Sequence, residues 1–219
     1  MRPPRLDLYL VTDRVQCARL GVERVVAEAV AGGATIVQIR DDDTPTADLV
    51  ALTRRVKKLL AGTGVPLIIN NRLDVALAAE ADGLHVGQDD LPAVAARAAL
   101  GPEPLLGLSI TDPAQLAAVP REGVDYLGVG PIFATATKTD AAPAMGLDGL
   151  ATCRNRSALP IVAIGGIKES DTEAVIRSGA DGIAVVSAIC SADDPRAAAS
   201  RLAAIVREAK AARRGAPGT

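Results

Sequence analysis

Eight short apolar runs recur along this 219-residue chain, each separated from the next by a longer stretch of helix-forming residues. Leu8–Thr12, Ile36–Arg40, Leu67–Asn70, Gly83–Val86, Leu105–Ser109, Tyr126–Val129, Ile161–Ile164 and Gly182–Val186 read as strands. Several are continuously apolar, as strands covered on both faces must be. Between and after them, Val22–Ala31, Ala47–Ala61, Val75–Glu80, Pro92–Leu100, Pro113–Val119, Leu147–Asn155, Asp171–Ser178 and Pro195–Ala212 read as helices. Asp112-Pro113 and Asp194-Pro195 each place an N-cap acceptor before a first-turn proline. Gly33, Gly123 and Gly179 supply left-handed helix ends a few residues ahead of the next strand. Parallel strands need crossover helices, and eight such units can close a barrel. The expectation is an α/β, single-domain (β/α)8 TIM barrel over residues 1–212, with residues 213–219 a disordered tail. A doubly wound open sheet is the alternative.

Composition excludes several roles. A net charge of −2 exerts no long-range pull on nucleic acid, and two Tyr, one Phe and no Trp leave little for base stacking. No run approaches the ~20 apolar residues that span a bilayer, and no secretory apolar run follows the basic start. Cys17, Cys153 and Cys190 fit no metal or disulfide spacing and read as buried reduced thiols. A cytoplasmic protein acting on small molecules follows; a homo-oligomer is compatible with the sequence but not indicated by it.

The working face of such a barrel lies where strands end. Polar residues gather there: Gln38 and Arg40, Asn70 and Asn71, Asp89 and Asp90, Ser109, the loop Gly130–Lys138, Gly165-Gly166, and Val186-Ser187. The glycine pair lets a phosphate approach backbone amides, and the segment after Ser187 can offer more at the start of a short helix. Arg40 and Lys138 are cations suited to phosphate oxygens. Thr135, Ala136 and Thr137 lie in a loop suited to hydroxyl and amide contacts with an anion. A strand-end carboxylate such as Asp90 beside phosphates is what Mg²⁺ prefers. His85, the one histidine, reads as a hydrogen-bonded structural residue, and no triad or zinc cluster is evident.

Taken together, the segments from Leu8 to Ile189 resemble the thiamine phosphate synthase family. The matching pieces include Leu8–Asp13, Val37–Arg40, Ile68–Arg72, Ala81–Asp90, Gly107–Ser109, Asp125–Lys138, Ala163–Ile167 and Gly182–Ile189, of which Gly130–Lys138 is the most specific. The resemblance implies the joining of hydroxymethylpyrimidine diphosphate to a thiazole phosphate or its carboxylated form, with release of diphosphate. It implies that the carbon–oxygen bond breaks first and that the thiazole nitrogen captures a pyrimidine cation. Carried over residue by residue, Gln38, Arg40, Asn70, Ser109 and Lys138 hold the pyrimidine diphosphate, with Arg40, Lys138 and Ser109 closest to the chemistry. Asn71 and Asp90 carry Mg²⁺. Thr135, Ala136, Thr137, Gly166, Val186 and Ser187 hold the thiazole phosphate.

Two positions depart from the family pattern. Asp42 stands where a lysine is common, and an anion beside a diphosphate is unfavourable, so Asp42 is expected to face solvent. Asn71 stands where Asp is common and offers an uncharged oxygen to the metal. Competing readings are a thiazole tautomerase-like isomerase on the same barrel, a non-catalytic phosphometabolite-binding regulator, and an aldolase using Lys138 as a Schiff base.

Overall fold

The computed structural model describes residues 5–120, 122–135, 137 and 142–215. Eight parallel strands close into a barrel in sequence order: β1 (Leu8–Val11), β2 (Ile36–Ile39), β3 (Leu67–Asn70), β4 (Gly83–Val86), β5 (Leu105–Ile110), β6 (Tyr126–Val129), β7 (Ile161–Ile164) and β8 (Gly182–Val185). The β8–β1 pairing, with Leu8 beside Ile183, completes the ring and excludes an open sheet.

Alternation along each strand divides the core in two. Leu8 and Leu10 belong to the outer layer under the helices, whereas Tyr9 and Val11 join Ile36, Ile68, Tyr126, Val162 and Ala184 in a separate inner cluster. Both faces of the strands are thus largely buried, which is why their sequences carry so little polar alternation.

Crossover helices surround the strands: α1 (Val22–Ala31), α2 (Thr46–Leu60), α3 (Leu73–Ala78), α4 (Ala93–Leu100), α5 (Gly146–Arg156), α6 (Thr172–Arg177), the short α7 (Ser187–Cys190) and α8 (Pro195–Gly215). The crossover after β5 is a 3-10 helix, Pro113–Ala118, instead of an α-helix. Asp112 caps it as the sequence suggests, its side chain accepting from Ala114 N at 2.7 Å, while Gln115 Oε1 accepts from Asp112 N at 3.2 Å. Asp194 does the same for α8, accepting from Ala197 N at 2.9 Å. That last helix continues to Gly215, so Arg213–Gly215 are helical and not part of a tail; Ala216–Thr219 lie outside the described residues. Arg213 explains the extension, donating to the Ile176 and Ala180 carbonyls at 2.9 and 2.8 Å.

The N-terminal rim is fastened by a repeated device. The residue just before each even-numbered strand accepts a backbone N–H near the start of the odd-numbered strand beside it. Thr35 Oγ1 accepts from Leu8, Asp82 from Leu67, Asp125 from Leu106 and Asp181 from Ile161, at 3.2, 2.8, 2.7 and 2.9 Å. Two of these carboxylates also hold arginines, Arg97 on Asp125 at 2.6 Å and Arg154 on Asp181 at 3.2 Å.

Candidate active site

Because all strands run parallel, every strand C-terminus opens on one rim, and the residues singled out in the sequence fall there. Asn70 ends β3 and Ser109 lies one residue from the end of β5. Arg40 follows β2, Gly165-Gly166 follow β7, and Val186-Ser187 follow β8. Ala136 and Lys138 lie outside the described residues.

Arg40 bridges two loops. Its Nη2 lies 3.7 Å from Asp13 Oδ2 and donates to the Thr137 carbonyl at 3.4 Å. Both are long contacts, and among the described residues they leave guanidinium donors open to an incoming anion. The loop after β6 is tied to the same corner. Gln16 Nε2 donates to Thr137 Oγ1 at 3.5 Å and Gln16 Oε1 accepts from Ser191 Oγ at 3.0 Å, just past α7. Asp13 and Gln16 were missed as site residues. Asp13 stands beside the strand in a matching segment, but only the closed ring shows it facing Arg40.

Gly166 has a positive φ of 64°, and an added Cβ would lie 2.5 Å from the Ala134 carbonyl oxygen and 2.9 Å from Phe133. The glycine therefore serves first to let the loop after β6 lie over the end of β7. Phe133 N confirms the contact by donating to the Gly165 carbonyl at 3.0 Å. Next door, Val186 leads into α7, where the Ile189 and Cys190 amides both donate to the Val186 carbonyl, at 3.1 and 2.8 Å.

Asp90 Oδ2 accepts from Gly87 N at 2.7 Å, which aims the carboxylate back over the end of β4. Asn71 has φ 57°, a left-handed conformation that Asn and Asp tolerate best among residues with a side chain. Its amide is held by the His85 carbonyl at 2.8 Å, so β3 and β4 fix Asn71 together. Among the described residues no group of three His, Cys, Asp or Glu side chains gathers as a metal cage. A single carboxylate and an amide oxygen suit an ion that takes most of its ligands from phosphate and water, as Mg²⁺ does. Asp42 is exposed, as its charge requires. Asp41 instead folds the loop by accepting from Thr44 N at 3.0 Å.

Beneath the rim, polar side chains cross the barrel interior. Gln38 Nε2 donates to Tyr9 OH at 2.8 Å, Tyr9 OH meets Tyr126 OH at 2.9 Å, Tyr126 OH meets His85 Nδ1 at 3.1 Å, and His85 Nε2 meets Ser109 Oγ at 2.9 Å. Burial pushes the His85 pKa down to about 4, so the ring is neutral at pH 7, and burial pushes both tyrosines upward. His85 is the hydrogen-bonded structural residue its sequence context suggests, although its partners include a predicted site residue.

A cavity of about 1180 Å³ lies near the opposite rim, between α2 and the segments leading into β2, β3 and β4. Two of its cations, Arg54 and Lys57, are already engaged with the Ala78 and Glu80 carbonyls, and none of the strand-end polar residues reaches it.

The fold defines a (β/α)8 barrel whose C-terminal rim gathers Arg40, Asn70, Asp90 and Ser109. The family signature described as thiamine monophosphate synthase matches residues 8–189, and the chain belongs to that family. It is 54% identical over 209 residues to the thiamine-phosphate synthase of Xanthobacter autotrophicus, covering 95% of this chain and 99% of that one. It is 49% identical to the thiamine-phosphate synthase of Chloroflexus aurantiacus, covering 91% and 92%. Its fold is similar to that of thiamine phosphate pyrophosphorylase from Pyrococcus furiosus, with a TM-score of 0.86 and 35% identity over 94% and 98% of the two chains. No helix among the described residues is long and apolar enough to cross a membrane.

Proposed function

We propose that the chain condenses 4-amino-2-methyl-5-(diphosphooxymethyl)pyrimidine with 4-methyl-5-(2-phosphoethyl)thiazole, or its carboxylated form, releasing diphosphate and thiamine phosphate. The observation that carries this reading is the position of Arg40, in a family of this name. It stands on the same rim as Asn70, Asp90 and Ser109 and touches the loop bearing Thr135 and Thr137.

Diphosphate leaves only when its growing charge is neutralised. Arg40 supplies a fixed cation there, and Lys138 a second. Asn70 and Ser109 hold diphosphate oxygens, while Gln38 faces the pyrimidine. Asn71 and Asp90 would hold Mg²⁺, which when bound supplies further neutralisation of the diphosphate. Amides and hydroxyls of Thr135, Ala136, Thr137, Gly166, Val186 and Ser187 hold the thiazole phosphate and keep the ring nitrogen facing the pyrimidine methylene carbon. No proton need be removed for the carbon–oxygen bond to break, so the reaction makes no demand for a catalytic triad. An isomerase of the thiazole alone would leave Arg40, Asn70 and Asp90 without a diphosphate to serve.

The test is incubation of the purified chain with both precursors and Mg²⁺. Thiamine phosphate and diphosphate should appear in equal amounts and only when both precursors are present. Absence of diphosphate release would remove the transferase reading.

A further inference from the structure

The five polar side chains crossing the barrel form one continuous path, and the fold makes room for it. Strand register places His85 beside Gly107, and Gly107 beside Tyr126. A Cβ on Gly107 would lie 2.3 Å from both His85 Nδ1 and Tyr126 Cζ, and one on Gly128 would lie 2.8 Å from His85 Cε1. The two glycines therefore vacate the space in which β4 and β6 touch across β5. Gln38, Tyr9, Tyr126 and His85 are all buried, with 5%, 2%, 0% and 8% exposure, so water cannot readily substitute for a member of the path.

With the Gln38 amide nitrogen turned to Tyr9, only one direction uses every hydroxyl hydrogen along the path. Tyr9 OH accepts from the Gln38 amide, so its single hydrogen goes to Tyr126 OH. The Tyr126 hydrogen then goes to His85 Nδ1, which makes Nε2 the protonated ring nitrogen. His85 Nε2–H donates to Ser109 Oγ, and the Ser109 hydrogen is left for a ligand. At the far end, no described residue donates to Gln38 Oε1.

We propose that Tyr9, Tyr126 and His85 are positioning residues, a polarised relay through which Gln38 dictates that Ser109 acts as a hydrogen-bond donor. The relay offers an acceptor at β2 and a donor at β5. This matches a ligand with an amino group at one end and phosphate oxygens at the other. That correspondence rests on the function proposed above; the polarity of the path does not.

The single histidine makes the relay directly readable. Histidine-ring ¹⁵N shifts of the full-length, ligand-free protein should show a neutral Nε2–H tautomer. At pH 8, Gln38→Glu places an acceptor-only carboxylate at the start of the path. Every hydrogen must then reverse, and the ring should become Nδ1–H, two tyrosines away from the substitution. In a Tyr126→Phe background the same Gln38→Glu change should leave the tautomer unaltered.

A wild-type ring protonated at Nδ1 overturns the relay. So does a folded Gln38→Glu protein that retains Nε2–H, or a switch that survives Tyr126→Phe. Should Gln38→Glu fail to fold, Gln38→Met removes the controlling donor and should bring both tautomers into exchange; an unchanged single tautomer then counts against the proposal. In turnover, Tyr126→Phe should raise KM for the pyrimidine diphosphate roughly fivefold with a smaller change in kcat. A wild-type protein with no turnover would defeat the functional reading while leaving the tautomer result intact.

Discussion

Arg97 on the N-terminal rim of the barrel and Arg40 on the C-terminal rim share one side-chain chemistry and leave it in opposite states. At the N-terminal rim, charges are closely matched. Arg97 donates to the carbonyls of Gly123, Gly101 and Pro104 at 2.9, 2.8 and 2.6 Å and to Asp125 at 2.6 Å. At the C-terminal rim, Arg40 makes, among the described residues, a 3.7 Å ion pair and one 3.4 Å hydrogen bond. Matched groups stabilise the fold, whereas loosely matched groups on a rigid frame can exchange their partners for a ligand. The difference explains how one barrel supports both tasks without trading one against the other.

Four substitutions would break or sharpen this contrast. Arg40→Ala should lower kcat/KM by roughly 100-fold or more, about 3 kcal/mol of transition-state stabilisation, while the thermal midpoint stays nearly constant. A large drop in stability with modest loss of turnover would make Arg40 a structural residue like Arg97.

Between the rims, His85 should impose an acid limit. Its folded pKa is about 4 against 6.5 when unperturbed. Below pH 6.5 the unfolded chain takes up a proton that the fold excludes. This contribution to stability is therefore complete above that pH, falls as the pH drops and is lost once the pH is below 4. The full loss amounts to about 3 kcal/mol. Urea midpoints of wild type and His85→Gln, compared from pH 7 to 4, should converge as the pH falls; parallel curves would contradict it.

Arg97→Ala should cost about 2 kcal/mol, since the Asp125 side chain is 38% exposed and its ion pair is partly screened, and should leave KM unchanged. Thermal melts and steady-state kinetics on the same preparation separate these effects. The smallest change is expected from Asn71→Asp. A formal charge on the loop after β3, next to the loop that carries Asp90, should lower the Mg²⁺ concentration for half-maximal activity roughly threefold, because Asp also tolerates the left-handed backbone at this position. An unchanged metal requirement would remove Asn71 from the ion's ligands.

Most of the fold was legible because the β/α rhythm is local. Four strands, Leu67–Asn70, Gly83–Val86, Tyr126–Val129 and Ile161–Ile164, have the boundaries read from apolar runs alone. Gly33, Gly123 and Gly179 all take the positive φ expected of helix-ending glycines. The misses have physical causes. Pro113–Ala118 carries helix start signals but is held to a 3-10 turn, and α8 outruns its apolar periodicity because Arg213 finds carbonyl partners on the segment around α6.

The strand-end residues were legible because a barrel gathers them at one end whatever their identity. The internal path was not. Tyr9 and Tyr126 look like ordinary strand aromatics, and nothing local reveals that residues 117 apart share a hydrogen bond. The sequence suggests Gly166 as an approach to phosphate but not its part in packing the loop after β6. The glycine's nearest neighbours are the backbone of Phe133 and Ala134, a contact visible only once β6 and β7 are paired.

The hydrogen bonds from Thr35, Asp82, Asp125 and Asp181 group the strands into four consecutive pairs, β1–β2 through β7–β8. A circular permutant opened at Gly62–Gly64 would keep every pair on one continuous stretch of chain. One opened at Gly33 would place the two halves of the first pair at opposite termini, and should refold more slowly for having to close that pair across the whole polypeptide.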